Sequence, residues 1–384
     1  MASSEAAHAS TDRATVAFHG KHQAGIATSA QAHLNFASFD LTTESQAALK
    51  GVLRRWTAAA AAITAGRRYE PRARSARRPP ADPGESLGLA PARLTLTFGF
   101  GPTLFERDGE DRLGLARRRP GALHPMPHFS GEMLEPASSG GDLCVQACAE
   151  DPQTTFHAIH LLSNLAAGEA RIRWMQVGFS TRPAVGTGTG RNLIGFKDGT
   201  HNLSTEDATA MNRHVWVQHP DQPGWMRRGT YLIARRIEIV LSSWDGLTLP
   251  QQERAIGRHK LSGAPLGARH EHDPVNLQGN PIIPIDAHIR VASPETNGGL
   301  RILRRGYSFS RGATAGPADR GGHRLDGGLF FIAFIRDLAR FAPLQRRILS
   351  DDALNAFTIH TASAVFAIPP GVRPGGFIGE QLFS

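Results

Sequence analysis

Apolar positions along this chain recur with two different periods. The stretch Ala32–Leu41 alternates as a strand, and the run ESQAALKGVLRRWTAAAAAI then sets Leu49, Val52, Leu53 and Trp56 at helical spacing, with Thr43 as the expected N-cap. Leu94, Leu96 and Phe98 alternate within RLTLTFGFGPTLF, and DLCVQACAE reads as a further strand. DPQTTFHAIHLLSNLAAG reads as a helix entered through Asp-Pro and ended by Gly168, and ARIRWMQVGFS as the next strand. The order β-α-β-β-α-β is the split pattern of a ferredoxin-like domain.

The second half repeats that order less clearly. TYLIARRIEIVL reads as a strand, and TLPQQERAIGRH as a helix capped by Thr248 with Pro250 in its first turn. AHIRVAS and RILRRGYSFS read as short strands, GGLFFIAFIRD as a strongly apolar strand, and APLQRRILSDDAL as a helix. The expectation is an α+β protein of two ferredoxin-like domains with antiparallel sheets. A polar tail over 1–18 precedes an N-terminal domain over 19–200 and a C-terminal domain over 201–384. Two such domains facing each other form a cleft between sheets, a common ligand location.

The chain's 384 residues suit two domains, and 40% hydrophobic with 20% charged residues is ordinary globular composition. No apolar run reaches the length of a membrane span. The net charge of +9 comes largely from arginine, much of it in RRYEPRARSARR (Arg67–Arg78), which reads as a solvated linker. No nucleic-acid-binding signature accompanies it. Cys144 and Cys148 lie four apart on an expected strand, about 13 Å from one another, too far for a disulfide. The missing CxxC and CxxCH patterns argue against thiolate zinc and covalently attached haem. The N-terminus as given carries no hydrophobic signal region.

Candidate chemistry concentrates at few places. In NLIGFKDGTHN, Asp198 lies between Gly195 and Gly199, either as a turn residue or as a carboxylate held where a reacting molecule passes. The glycine-rich VGTGTGRN before it lacks the Lys-Ser/Thr of a phosphate loop and reads as a lead-in loop. ARHEHDP gathers His270, Glu271, His272 and Asp273 without the helical spacing of a zinc site. His288 has apolar neighbours and arginines nearby. It is either a satisfied strand histidine or an axial ligand to a haem iron, with guanidinium groups at hand for carboxylate or peroxide chemistry.

GFKDGT with its upstream asparagine resembles the G-x-x-D-G signature of dye-decolourising peroxidases. AHIRVASP followed by LRRGYSF resembles their proximal-histidine and distal-arginine segments. GKHQAGI, GESLGLAP, GGDLCVQACAEDPQ, SGAPLG and GGLFFIAFIRD extend the match in the family's order from about residue 19 to the C-terminus. The branch that includes bacterial deferrochelatase/peroxidases is the most similar. The resemblance implies two ferredoxin-like domains with one non-covalent haem b beside the second. It implies His288 as the fifth iron ligand, Asp198 on the opposite face and Arg304 beside Asp198. It also implies that Gly199, Thr200, His201, Ser293, Pro294, Glu295 and Phe331 contact the haem, and that Asp337 hydrogen-bonds the proximal imidazole. Where that branch often has Asn-Pro-Arg this chain has Ser293-Pro294-Glu295, which leaves Arg290 as the candidate for a propionate contact.

The function so implied is reduction of H2O2 and oxidation of dyes, phenolics or other one-electron donors through a ferryl intermediate. Asp198 would move the peroxide proton, serving in acid because an unperturbed aspartate has a pKa of about 3.9. Arg304 would stabilise the charge that develops. The alternative is a haem-handling protein that releases iron from haem. The family implies export by the twin-arginine route, and leaves monomer or homodimer open. Tyr307, three residues past Arg304, is either a packed strand residue or an exit for electrons.

Overall fold

The computed structural model describes residues 15–71, 77, 79–180, 188–218, 223–275, 277, 282–315 and 323–384. The tail's first residues, part of the arginine-rich linker and the start of the glycine-rich loop lie outside the described residues.

Among the described residues nine strands form one sheet that closes on itself. They are β1 (His33–Leu41), β2 (Thr95–Phe100), β3 (Leu143–Ala149), β4 (Ala170–Phe179), β5 (Thr230–Ile239), β6 (Leu303–Arg304), β7 (Tyr307–Ala315), β8 (His323–Ile335) and β9 (Thr358–Ile368). The N-terminal four run β2-β3-β1-β4, and all their pairings are antiparallel. In the C-terminal half β6 and β7 follow one another along one edge of β8, whose other edge pairs with β5, and β5 pairs with β9. Both halves therefore share one order: second, third, first, fourth. Each is a ferredoxin-like sheet. Single pairs join them at each side, Phe100 with Ala367 and Phe179 with Ser308.

Side-chain alternation sorts these strands into two layers. Leu34 and Phe36 of β1, Leu232 and Ala234 of β5, Phe330, Ile332 and Phe334 of β8, and Phe366 of β9 fill a core between the two sheets. Phe39, Phe98, Val145 and Tyr231 point outward into a larger core. Helix α1 (Gln46–Ile63) covers that face with Leu49, Val52, Leu53 and Trp56, and the Trp56 indole donates to the Leu162 carbonyl at 2.7 Å. Helix α2 (Pro152–Leu165) starts at Asp151, whose carboxylate accepts from the Thr154 amide at 2.7 Å. The α1 cap is Ser45, not Thr43. Ser45 Oγ accepts from the Ala48 amide at 3.2 Å, and the Thr43 hydroxyl accepts from the Ser45 amide at 3.1 Å.

In the second half helix α3 (Leu249–Ile256) has the capping box of Thr248 with Gln251. AHIRVAS, expected as a strand, is instead a single helical turn, α4 (His288–Val291). The amides of Arg290 and Val291 return to the Ala287 carbonyl at 2.9 and 3.0 Å. Four residues are too few for periodicity to distinguish a turn of helix from a strand. RILRRGYSFS breaks into β6 and β7 around Arg305-Gly306. Helix α5 (Phe341–Asp351) leads into β9, a strand absent from the expected element list. Among the described residues no helix is long and apolar enough to cross a membrane.

Candidate functional site

The turn over residues 192–202 is anchored by what surrounds Asp198. Ile194 and Phe196 are buried in a satellite core, with the Phe196 ring edge-on to Trp244 at 6.0 Å. The Asn192 amide donates to the Phe196 carbonyl at 3.0 Å, and Asn192 Oδ1 accepts from the Phe196 amide at 3.1 Å. With those residues inward, Lys197 and Asp198 turn outward, and the Asp198 amide donates to the Gly190 carbonyl at 2.9 Å. Gly199 follows at φ +119°, a backbone conformation that side chains rarely adopt.

Arg304 reaches the same place from β6. Leu303 faces the inter-sheet core, so Arg304 faces outward beside Ala333. Asn202 grips its backbone twice: Oδ1 accepts from the Arg304 amide at 2.8 Å and Nδ2 donates to the Arg304 carbonyl at 2.7 Å. Arg304 Nη1 then donates to Asp198 Oδ1 at 3.1 Å. Thus the chain that presents the acid also fixes the strand that presents the cation.

His288 opens α4. Its Nδ1 lies 2.6 Å from Asp352 Oδ2, and Asp352 Oδ1 accepts from the Leu354 amide at 2.9 Å. Burial alone would lower the imidazole pKa; the charge and hydrogen bond of Asp352 outweigh it and raise it, with Asp198 adding and Arg304 opposing. The expected partner, Asp337, does not reach this ring. Asp337 lies two residues past the end of β8, and its carboxylate caps the following turn by accepting from the Ala339 amide at 3.1 Å. Asp352 meets α4 because the chain doubles back after α5, where the Ala353 amide donates to the Asp286 carbonyl at 2.9 Å.

With Nδ1 engaged, Nε2 is the ring nitrogen without a partner among the described residues. The His288 side chain keeps 33% of its surface accessible, whereas that of Asp352 is buried. Asp198 and Arg304 each keep 31% of their side chains accessible, and both exert their charge on His288.

The remaining expected residues are placed unevenly. The Thr200 hydroxyl donates to Glu271 Oε1 at 3.0 Å. The His201 pKa is lowered by burial and by Arg258, with Glu295 opposing and Arg304 adding to the decrease. Ser293 and Pro294 begin a short turn, and the Ser293 hydroxyl binds the Glu295 carboxylate. Arg290 Nη1 donates to the Ile283 carbonyl at 3.0 Å. Phe331 shares the outward face of the sheet with Arg304 and stacks on Phe341 at 6.2 Å.

Sequence reasoning missed Asn202, Asp352 and Arg258. Asn202 stood in the quoted motif without a role. Asp352 carried a weak signal, an acid one residue past a helix and just before a new turn. Among the described residues no group of three or more His, Cys, Asp or Glu is placed to hold a metal ion.

Models of the Dyp-type peroxidase N-terminal and C-terminal domains match residues 23–180 and 189–373. A dye-decolorizing peroxidase of Thermobifida fusca (strain YX) is 38% identical over 380 residues, covering 94% of this chain and 83% of that protein. The deferrochelatase of Escherichia coli (strain K12) is 35% identical over 377 residues, covering 95% and 86%. The structure of ferric DtpA from Streptomyces lividans superposes with a TM-score of 0.85 at 36% identity, covering 97% of this chain and 99% of that one.

Proposed function

Since this chain belongs to the Dyp-type peroxidase family, we propose that it binds haem b through His288 and reduces H2O2 at Asp198 and Arg304 while oxidising dyes, phenolics or other one-electron donors. The chain is a peroxidase, and Dyp-type peroxidases are haem proteins. What supports the residue assignment is His288 Nε2, without a partner among the described residues, together with the charge that Asp198 and its ion-pair partner Arg304 exert on this ring. A neutral imidazole nitrogen suits haem iron, and Gly199 adds no side chain to obstruct a flat ligand. His288 through Nε2, with Gly199, Thr200, His201 and Phe331 around it, would hold the group. Glu295 is an anion bound to Ser293, which argues against a propionate contact there; Arg290 remains the candidate for that contact, since its bond to the Ile283 carbonyl uses one of five guanidinium N–H donors.

Haem iron would supply the site that takes up peroxide and its oxidising equivalents. The chain's own residues do the rest. Asp198 accepts the proton of one peroxide oxygen and passes it to the leaving oxygen, within about 3 Å or through one water. Arg304 keeps its charge and stabilises the anionic character of the breaking bond. Asp352 fixes the His288 tautomer and raises its basicity.

The test is stopped-flow mixing of the haem-loaded protein with H2O2. Asp198→Ala and Arg304→Leu should each slow the reaction by about 100-fold or more. Unchanged rates in both would sink the distal assignment. A second reading, haem handling with iron release, is favoured by the similarity to the E. coli deferrochelatase. Iron release faster than donor oxidation would select it. The division into 19–200 and 201–384 and export by the twin-arginine route belong to the proposal too; a coding sequence lacking such a signal would remove the export route.

A further inference from the structure

Glu271 lies in the segment ARHEHDP, which the peroxidase reading leaves without a role. Its carboxylate binds the Lys197 ammonium, accepts the Thr200 hydroxyl at 3.0 Å, and accepts the Thr189 hydroxyl as well. Lys197 immediately precedes Asp198, and Thr200 follows it by two. One carboxylate therefore grips both sides of the Asp198-Gly199 pair. The grip matters because Gly199, at φ +119°, has no side chain of its own to restrain the turn. The segment that carries Glu271 is itself fastened. Buried Arg258 donates through Nη1 to the Glu271 carbonyl at 3.0 Å and to the Gly263 carbonyl at 2.5 Å. Asp273 accepts the amides of Arg269 and His270 at 3.0 and 2.8 Å.

We propose that Glu271 is a positioning residue for peroxide reduction, holding the Lys197–Thr200 turn so that the Asp198 carboxylate faces Arg304. The inference rests on the distal assignment above. Asn202 fixes Arg304 from one end of the turn and Glu271 fixes Asp198 from the other, so the 3.1 Å contact between them is set from both sides. The grip also persists in acid. Burial pushes the Glu271 carboxyl up, but Lys197, Thr189 and Thr200 outweigh it and hold it at about 2. The other ionisable groups facing it are Arg258 and the exposed His272, 4.0 Å away.

Glu271→Gln keeps the shape and removes the charge. In the full chain without haem, hydrogen exchange over residues 193–203 should accelerate by about tenfold while β1–β4 exchange as before. In the haem-loaded protein the rate with H2O2 should fall about tenfold, the scale of an outer-partner loss, with KM for the reducing donor unchanged. Thr200→Val should produce the same pair of changes to a smaller degree, and serves if the first variant does not fold. Unchanged exchange over 193–203 overturns the proposal. So does faster exchange with an unchanged H2O2 rate, which makes Glu271 structural only. A wild type that takes up haem but does not react with H2O2 overturns the distal assignment itself, and is recognised before any variant is compared.

Discussion

The two four-stranded sheets have the same strand order, yet their outer faces differ in kind. On the N-terminal sheet the outer face is mainly apolar: Phe39, Leu96, Phe98 and Val145 meet Leu49, Val52, Trp56 and Leu162 of the two helices, and buried Asn35 is matched by the Thr155 hydroxyl at 2.8 Å. The C-terminal sheet begins the same way with Tyr231 and Ile233, then turns polar at Arg235, Ser363 and, on β6, Arg304. Its two arginines each have a carboxylate partner. Arg235 binds Glu132 from the N-terminal half, and Nη1 donates to Ser363 Oγ at 2.9 Å. The long connection from β5 to β6 adds α3 and α4, and with them His288. The same plan thus serves once as a packed scaffold and once as a partnered polar wall facing a site. Chemistry is placed where apolar packing gives way.

One pair of substitutions separates these roles most widely. His288→Ala should weaken haem uptake by more than about 100-fold, beyond the 10–100-fold expected for losing an outer partner such as Asp352, while the haem-free protein loses only about 1–3 kcal/mol, the cost of leaving the buried Asp352 carboxylate without its imidazole partner. Trp56→Ala should do the reverse. It removes a fully buried indole and its 2.7 Å bond to Leu162, costing about 3–5 kcal/mol of stability. Haem titration by absorbance and urea unfolding, run on both variants, check this. A large stability loss in His288→Ala or a large affinity loss in Trp56→Ala would blur the distinction between the halves.

The same contrast explains what the sequence revealed. Helices α1, α2 and α3 were legible because each carries enough turns for its apolar period to show and begins with a recognisable cap or an entering proline. Strand β9 was not, because Ser363 and Thr361, which serve Arg235 and Arg236, put polar residues beside a register shift, and both interrupt the alternation that Ala364, Phe366 and Ile368 continue. The four residues of α4 are too short to have a period. Asp198, His288 and Arg304 stood out by resemblance, since residues 106 apart in the chain give no local sign of meeting. Asp337 and Asp352 could not be ranked without knowing where the chain goes after α5.

The polar wall should also make the C-terminal half acid-sensitive in a way the apolar scaffold is not. His360 is buried beside Arg235, whose Nη2 lies 3.2 Å from its Nδ1; burial and then the guanidinium charge hold its pKa down to about 3. Its unfolded value is near 6.5. Between those values the unfolded chain binds a proton that the folded one does not. Stability from this residue is therefore complete above about pH 6.5 and is lost as pH falls toward 3. Denaturant unfolding at pH 6.5 and 4.5 should show a loss about 2 kcal/mol larger in the wild type than in His360→Gln. Equal losses in the two proteins would mean that His360 is protonated in the fold, and that Glu132 shields it from Arg235.

The smallest effect lies at the start of α1, in the scaffold half, and tests which of two neighbouring hydroxyls does the capping. Ser45 has the extended backbone of an N-cap, and its Oγ meets the Ala48 amide at 3.2 Å, whereas Thr43 accepts only from the Ser45 amide outside the helix. Removing Ser45 Oγ leaves a helix-end amide without its side-chain acceptor, at a cost of about 1 kcal/mol. Removing the Thr43 hydroxyl loses a contact that water can replace, and should cost clearly less. Thermal unfolding of Ser45→Ala and Thr43→Ala orders the two. If Thr43→Ala is the more destabilising, the helix in solution begins two residues earlier. Neither substitution should alter haem uptake, because the face that α1 covers is the apolar one, turned away from His288.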